Sequence, residues 1–263
     1  MTTLRIMRYA LLTGLRDYGA IYTWRSWLGG WFVRALAQVT FFVLIGRLLK
    51  DQQAETSFLL IGNATIVAAN QGMFALNAVS WERNAGTLPL LAACPTSPTL
   101  ILASRGLFLI VDGTISALGA LFVLSPLFGL TLPWPRVLLV IPLTLLVGAS
   151  AYFLGTFFGG VLLGYRGFNN IIVNIGIVTV MALCAVNVPL SAYPRPVQFV
   201  SECMPITHGL IAIRGVTSGN LSDVGGNALL EVAVATCWLG ICLLTFDRFV
   251  RRGRRVGSLG YST

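Results

Sequence analysis

Long apolar runs separated by short polar segments dominate the pattern of this chain. Six of the runs are about 20 residues or longer, the length that an α-helix needs to cross a hydrocarbon core of about 30 Å. Lipid offers the backbone no hydrogen-bond partner, so runs of this length predict helices rather than barrel strands of about 10 residues. The predicted spans are residues 28–48, 57–80, 106–130, 137–163, 171–190 and 226–246.

Residues 1–26 are too polar to span a membrane, yet they have helical order. Their apolar residues recur at three- and four-residue steps and form one stripe: Leu4, Met7, Leu11, Leu15, Tyr18 and Tyr22. Arg5, Arg8 and Arg16 fall on a neighbouring face. This pattern predicts an amphipathic helix that lies in the membrane interface, while the alternative is a basic topology signal and nothing more.

Residues 196–216 form an apolar segment with polar interruptions at Glu202, Pro205, His208 and Arg214. Its central proline predicts two short helices, and we interpret them as a re-entrant hairpin on the external side. A seventh crossing here would place the basic tail, residues 247–263, outside, against the positive-inside rule. His208 would then be a hydrogen-bonding residue, with pH sensing as the alternative.

Composition supports the membrane class. The chain of 263 residues is 56% hydrophobic and only 10% charged, with a mean hydropathy of +0.81. Soluble domains carry about 25% charged residues. We therefore predict one all-α polytopic domain over residues 1–263. Arginines are concentrated in the N-terminal segment, the loops after spans two and four, and the tail, which predicts that both termini are cytoplasmic. The net charge of +9 follows from this topology, and no nucleic-acid partner is predicted.

Residues that carry catalysis are scarce. There is one histidine, which rules out a paired-histidine metal motif within the chain. The lysine Lys50 follows no glycine-rich loop, so the phosphate-binding Walker motif is missing. We predict no catalytic, cofactor or metal site, and any ATP-driven motor would be a separate polypeptide.

Amides recur inside the predicted spans. Asn63, Asn70 and Asn77 are spaced by seven residues and share one face of the second span, and Asn174 lies in the fifth. Such residues line a translocation path or hydrogen-bond between packed helices. We favour packing.

Arg34 and Asp112 lie inside the first and third spans. Each is about six residues from its span's cytoplasmic end, so both are about 9 Å deep. Equal depth and opposite charge predict a buried ion pair, because isolated charges in lipid are costly. The alternative is that Arg34 snorkels to the interface alone.

One polar break, residues 81–91, separates the second and third spans on the predicted cytoplasmic side. Residues 82–88 with Cys94 and Pro95, the external stretch 204–214, and the order of elements along the chain resemble permeases of the type-2 ABC exporters. Residues 133–136 and 187–189 are most similar to actinobacterial drug and natural-product exporters.

The resemblance implies that the polar break is a coupling helix that docks on an ATPase. It assigns the contact to Glu82, Arg83, Gly86, Thr87, Leu88 and Leu91. Thr87 is placed to cap this helix, and Pro95 to end it. Pro89 departs from the family, where many members have a second glutamate. The alternative is an ordinary interfacial loop.

The resemblance also implies an assembly. Two ABC ATPase subunits, which bind ATP and Mg, would join this chain and a second permease subunit in a homodimer or heterodimer. The path would lie near the second and fifth spans, with an external gate at Pro205, His208 and Arg214. The expected function is export of a drug, natural product or lipid-like molecule across a bacterial plasma membrane. The alternatives are a polysaccharide or glycolipid permease and an ion-coupled secondary transporter, although the latter normally has mid-membrane carboxylates and internal repeats.

Overall fold

The computed structural model describes residues 3–49, 53–93, 97–164 and 169–256, and all regular elements in these ranges are helical. The first half contains α1 (Thr3–Ile21), α2 (Trp24–Ser26), a π-helical turn (Trp27–Phe32), α3 (Val33–Leu49), α4 (Gln53–Met73), a 3₁₀ turn (Phe74–Leu76), α5 (Asn77–Asn84), α6 (Leu88–Ala93) and α7 (Pro98–Arg105). The second half contains α8 (Phe108–Leu127), a 3₁₀ turn (Arg136–Leu139), α9 (Val140–Gly164), α10 (Asn169–Leu183), a 3₁₀ turn (Leu190–Ala192), α11 (Arg195–Cys203), α12 (Thr207–Ser218) and α13 (Val224–Val256).

Five continuous helical stretches in the described residues are long and apolar enough to cross a membrane. They correspond to predicted spans one to four and six. Their bounds are Trp24–Leu48, Glu55–Asn84, Pro98–Leu127, Arg136–Leu162 and Val224–Arg252.

The predicted fifth span, residues 171–190, is shorter than expected. Helix α10 has 15 residues and ends at Leu183. At 1.5 Å per residue it is about 22 Å long, less than the hydrocarbon thickness of about 30 Å. The helix stops because Ala185 adopts a left-handed backbone conformation with φ of 54°, which a right-handed helix cannot contain.

Two short helices occupy the predicted hairpin, joined by a break at Pro205. Helix α12 is deeply buried, and Leu210, Ile213 and Val216 have no exposed surface. It packs against α4, α9 and α13. This segment is therefore part of the helix bundle, while its dip into one leaflet stays a prediction.

Helix α4 is the centre of the bundle and packs against α3, α8, α9, α10 and α12. In the most apolar 18 residues of the stretch that contains α4, 83% of the residues are buried. In the most apolar 18 residues of each of the other four stretches, the share is between 17% and 56%. We name the two ends of the bundle after residues that lie there. The Glu82 end holds α5, α6 and α7 with the last turns of α9 and α13, and the Glu231 end holds α11, α12 and the start of α13.

The helix predicted near the N-terminus is α1, which packs along α7 and α8. Its contact face is made of small residues, since Ala10 and Gly14 are buried. A Cβ on Gly14 would lie 2.0 Å from the carbonyl oxygen of Arg105. Leu4 and Leu15 of the predicted apolar stripe are exposed at 78% and 44%. These two residues are available for contact with lipid, while location of α1 in the membrane interface stays a prediction.

Glycines allow α4 and α9 to approach closely. A Cβ on Gly72 would lie 2.5 Å from the carbonyl oxygen of Gly148 and 3.0 Å from the amide nitrogen of Tyr152. A Cβ on Gly155 would lie 2.7 Å from Met73 Cα. Because the neighbouring atoms belong to backbones, no side-chain rotation can make room, and small residues at such contacts are typical of membrane helices.

We predict that Gly72→Ala lowers the unfolding free energy by about 1–3 kcal/mol, because the added methyl group forces α4 and α9 apart. The measurement is thermal unfolding of the purified protein in detergent micelles. Gly240→Ala is the matched control, since a Cβ there meets nothing within 4 Å. Equal Tm values for the two variants would contradict the tight contact.

Candidate functional site

The polar break at the Glu82 end contains a closed backbone turn. Helix α5 ends at Asn84, and Gly86 follows with a positive φ of 70°. The amide of Gly86 donates to the carbonyl of Arg83 at 3.1 Å, and the amide of Thr87 donates to the carbonyl of Glu82 at 3.0 Å. This is the Schellman arrangement, in which a left-handed residue satisfies the last carbonyls of a helix. It explains why glycine stands at position 86.

Glu82 anchors this turn from inside, since only 3% of its surface is exposed. Its carboxylate accepts a hydrogen bond from the Thr87 hydroxyl and forms an ion pair with Arg105. Arg105 also pairs with Asp17 on α1, so one guanidinium joins α1, α5 and α7. The cap predicted at Thr87 takes a different form, because the Thr87 hydroxyl donates back to Glu82 of the preceding helix.

Two further contacts connect the segment to the long helices. Arg83 donates to the carbonyl of Leu162 at 3.1 Å, in the last turn of α9, where cations interact favourably with the helix dipole. Leu88 is buried in a small apolar cluster: Val79, Leu88, Leu102, Phe246 and Val250, with Leu91 packed against it. The cluster includes the last third of α13. The segment therefore contacts both α9 and α13.

The outer surface of α6 is exposed and apolar. Leu90 of α6 is 67% exposed although its neighbour Leu88 is buried, and Trp81 of α5 is 44% exposed although its neighbour Glu82 is buried. Pro89 occupies the first turn of α6, where a missing amide proton costs nothing. Cys94 and Pro95, predicted to end this helix, lie outside the described residues.

The predicted Arg34–Asp112 ion pair is wrong. Asp112 accepts hydrogen bonds from the indole of Trp27 at 2.8 Å, from the hydroxyl of Tyr18 at 3.2 Å and from the Gln71 amide. Burial and the nearby Asp112 carboxylate raise the pKa of Tyr18, so its hydroxyl stays protonated and donates. Uncharged donors from three elements thus satisfy the carboxylate.

Arg34 lies elsewhere, with its guanidinium 5.3 Å from the centre of the Trp31 ring. Trp27 and Arg34 are seven residues apart and would share a face in a regular α-helix. The π-helical turn Trp27–Phe32 lies between them and changes the rotation per residue. This offset separates the two side chains, so Trp27 contacts Asp112 and Arg34 does not.

Arg34 lines a cavity of about 300 Å³ between α3, α4 and α10. Asn70 of α4 and Phe74 of the following 3₁₀ turn form one wall, and Met181 belongs to the α10 wall. Asn70 Oδ1 is buried and has no hydrogen-bond partner among the described residues.

The four asparagines predicted to line a path or to pack between helices lie in different surroundings. Asn63 is fully buried and donates to the carbonyl of Leu59 at 3.0 Å and to Asn187 Oδ1 at 2.8 Å. Asn70 lines the cavity, Asn77 begins α5, and Asn174 is an exposed residue of α10. Asn63 therefore packs, and Asn70 faces an open space.

At the Glu231 end, Arg214 of α12 holds three backbone carbonyls. It donates to Ala185 at 2.7 Å, to Val186 at 2.8 Å and to Phe58 at 3.2 Å. Its guanidinium also lies 3.4 Å from the centre of the Phe58 ring. Burial lowers the pKa of Arg214 to about 9, which leaves it protonated at neutral pH. Arg214 thus ties α12 to α4 and to the chain after α10.

The other predicted gate residues, Pro205 and His208, make fewer hydrogen bonds than Arg214 does. The carbonyl of Pro205 accepts a bond from the Cys184 thiol at 3.4 Å. The two ring nitrogens of His208 lie 3.1 Å from the carbonyl of Glu202 and 3.5 Å from Asn227 Oδ1. All three gate residues therefore lie at the same end of the bundle.

Glu231 is a structural residue that the sequence interpretation missed. Its side chain has no exposed surface, and it accepts from the amides of Ile206 at 2.8 Å and Gly209 at 2.9 Å. These amides belong to the N-terminus of α12, whose own preceding residue, Ile206, has no capping side chain. A carboxylate on α13 therefore caps α12. The signal in the sequence was a carboxylate within an apolar run, but the sequence does not identify its partner, which lies 25 positions away.

A family model described as ABC-2 type transporter matches residues 15–217. The chain belongs to this family. The match includes the Glu82 turn, the cavity and Arg214, and Glu231 lies beyond it. No match was found among curated proteins. The chain is thus a multi-pass membrane permease of an ABC transporter, and membership of the family implies association with ABC ATPase subunits.

We predict that Arg105→Met lowers the unfolding free energy of the permease by about 3 kcal/mol, because Glu82 would be left as a buried, unpaired carboxylate. Asp17→Asn should change it by less than about 0.5 kcal/mol, since Asp17 is half-exposed. Unfolding in mixed detergent micelles measures both. Arg251→Met, which breaks an exposed pair with Asp247, is the control. If Arg251→Met lowered the unfolding free energy as much as Arg105→Met does, the buried ion pair of Arg105 with Glu82 would not be the cause of the loss.

We predict that Glu231→Gln lowers the unfolding free energy by about 1–3 kcal/mol, because an amide cannot accept from both α12 amides in the same geometry. Hydrogen exchange at the amides of Ile206 and Gly209 should speed up in parallel. Glu202→Gln makes the same change at an exposed carboxylate of α11 and should leave both measurements unchanged. Unaltered exchange in Glu231→Gln would show that the carboxylate does not cap α12.

Proposed function

We propose that this permease is the membrane subunit of an exporter, and that residues 81–91 receive motion from an ABC ATPase. The observation that supports this proposal is that the segment combines buried and exposed residues. Glu82 and Leu88 are buried and attach the segment to the bundle. Leu90 is an exposed apolar residue at the end of the bundle. Exposed apolar residues on a rigid support are typical of protein contacts.

Motion at this segment has defined routes into the bundle. Arg83 bonds to the last turn of α9, and Leu88 packs with Phe246 and Val250 of α13. At their other ends α9 and α13 both pack against α12, which Glu231 caps. A push on α6 is therefore delivered through two long helices to the Glu231 end. ATP and Mg would be bound by the ATPase, and the permease would break no covalent bond.

The substrate route in this proposal passes the cavity between α3, α4 and α10. Its volume of about 300 Å³ suits a drug-sized molecule, since small-molecule sites begin at about this size. Apolar side chains on the same helices, including Phe41 at 59% and Val178 at 63% exposure, are available to a second permease subunit or to lipid. We propose two permeases and two ATPases, with a drug, natural product or lipid-like molecule as cargo.

In this proposal both termini and the Glu82 end are cytoplasmic, and the Glu231 end is the external gate of a bacterial plasma-membrane exporter. The support is the arginine distribution together with the contacts of Arg214. Opening at this end requires the guanidinium to release the carbonyls of Phe58, Ala185 or Val186. Each of these charge-assisted bonds contributes more than a neutral one.

We predict that Leu90→Glu reduces co-purification of the permease with the co-expressed ATPase at least about tenfold, because a charge replaces an apolar contact at the docking surface. Leu90 is exposed, so the variant should fold normally. Leu221→Glu is the matched control, since Leu221 is 41% exposed in the loop before α13. ATPase retention by Leu90→Glu equal to that of Leu221→Glu would place the docking surface elsewhere.

A further inference from the structure

We infer that the cavity between α3, α4 and α10 binds an amphiphile with an anionic group, and that Arg34 recognises this group. The inference rests on the proposed route and adds a substrate class to it. Its starting point is the position of Arg34, whose side chain is exposed and lines this cavity. Ionisable residues within a membrane are costly and are commonly functional.

Among the described residues Arg34 has an aromatic neighbour, Trp31, and no carboxylate partner. Three acidic residues in the described part of the chain are already engaged by other groups. Asp17 and Glu82 pair with Arg105, and Asp112 holds Tyr18, Trp27 and Gln71. A counter-ion for Arg34 would then come from outside this set of residues, and a bound anion would supply it.

The rest of the cavity wall fits an amphiphile. Trp31 Nε1 and Asn70 Oδ1 are buried atoms that have no hydrogen-bond partner among the described residues. Buried polar atoms without partners are uncommon in native proteins and call for an explanation. Since neither atom is accessible from the cavity, each side chain would have to rotate. The Trp31 indole would then donate to the anion that Arg34 binds, and Asn70 would accept from a donor on the same molecule. Phe42, Phe74 and Met181 supply the apolar surface for its body.

A matched pair of fluorescent probes tests the charge requirement. One is 1-anilinonaphthalene-8-sulfonate, and the other is N-phenyl-1-naphthylamine, which has the same ring system without the sulfonate. Binding to the full-length permease in phosphatidylcholine nanodiscs is measured by energy transfer from tryptophan. We expect Arg34→Gln to lower the ratio of anionic to neutral probe affinity about tenfold, and Arg34→Lys to keep most of it.

Arg25→Gln is the control for loss of charge, because Arg25 also lies over a tryptophan, at 5.4 Å from the centre of Trp24, but does not line the cavity. It should leave the ratio unchanged. An Arg34→Gln ratio equal to that of the wild type would overturn the inference, and so would an equal loss in Arg25→Gln. A carboxylate of a second permease subunit as the true partner of Arg34 would give the first of these results.

A measurement on the unaltered chain guards against a variant that does not fold. Phenylglyoxal modifies arginines, and mass spectrometry reads the extent at Arg34 and Arg25 separately. The sulfonate probe should protect Arg34 more strongly than the neutral probe does, and both should leave Arg25 reactive. Equal modification of Arg34 with both probes would overturn the inference.

The anion could belong to a lipid headgroup or to a free amphiphile, and a second arm separates these sources. Replacing part of the phosphatidylcholine by phosphatidylglycerol should weaken binding of the sulfonate probe in an Arg34-dependent way if lipid occupies the cavity. Unchanged affinity identifies a free amphiphile. Failure of the proposed function looks different, because it appears as missing association with the ATPase while the probe ratio still depends on Arg34.

Discussion

The burial of most of α4 is the constraint on which the remaining architecture depends. A helix surrounded by five others can be packed closely only where one partner is small, as Gly72 and Gly155 are. Where α4 is buried, its polar residues must also find partners within the bundle. Asn63 meets Asn187, and Gln71 meets Asp112. The positions of α8, α9 and the chain after α10 follow from these contacts.

Much of the fold could be predicted from the sequence because hydrophobic length is a local property. The apolar runs of the first four membrane-crossing stretches, between Trp24 and Leu162, could be identified without any knowledge of their neighbours. The end of α10 was not, because the left-handed Ala185 is held by Arg214, a residue 29 positions later. A single π-helical turn likewise redirected Arg34 away from Asp112, and hydropathy does not reveal such a turn.

The candidate site shows the same division. Residues 82–88 could be predicted as a unit because their turn is closed by neighbours in sequence, and Gly86 marks its left-handed position. The residues that fix this unit in space could not. Asp17 and Arg105 are 88 positions apart. The same holds at the opposite end of the bundle, where Glu231 is 25 positions from the amide of Ile206. Pairings over such separations depend on which helices become neighbours, and one sequence contains no direct signal of that.

The backbone bonds of Gly86 and Thr87 also have a thermodynamic consequence for association. A segment that is disordered before binding loses conformational entropy when a partner orders it, and affinity falls accordingly. Here two backbone hydrogen bonds and the Glu82 side chain already fix the shape of the segment in the isolated chain. A partner that meets it encounters a preorganised surface, so docking would approach rigid-body association, and its free energy would be available for moving helices rather than for folding a loop.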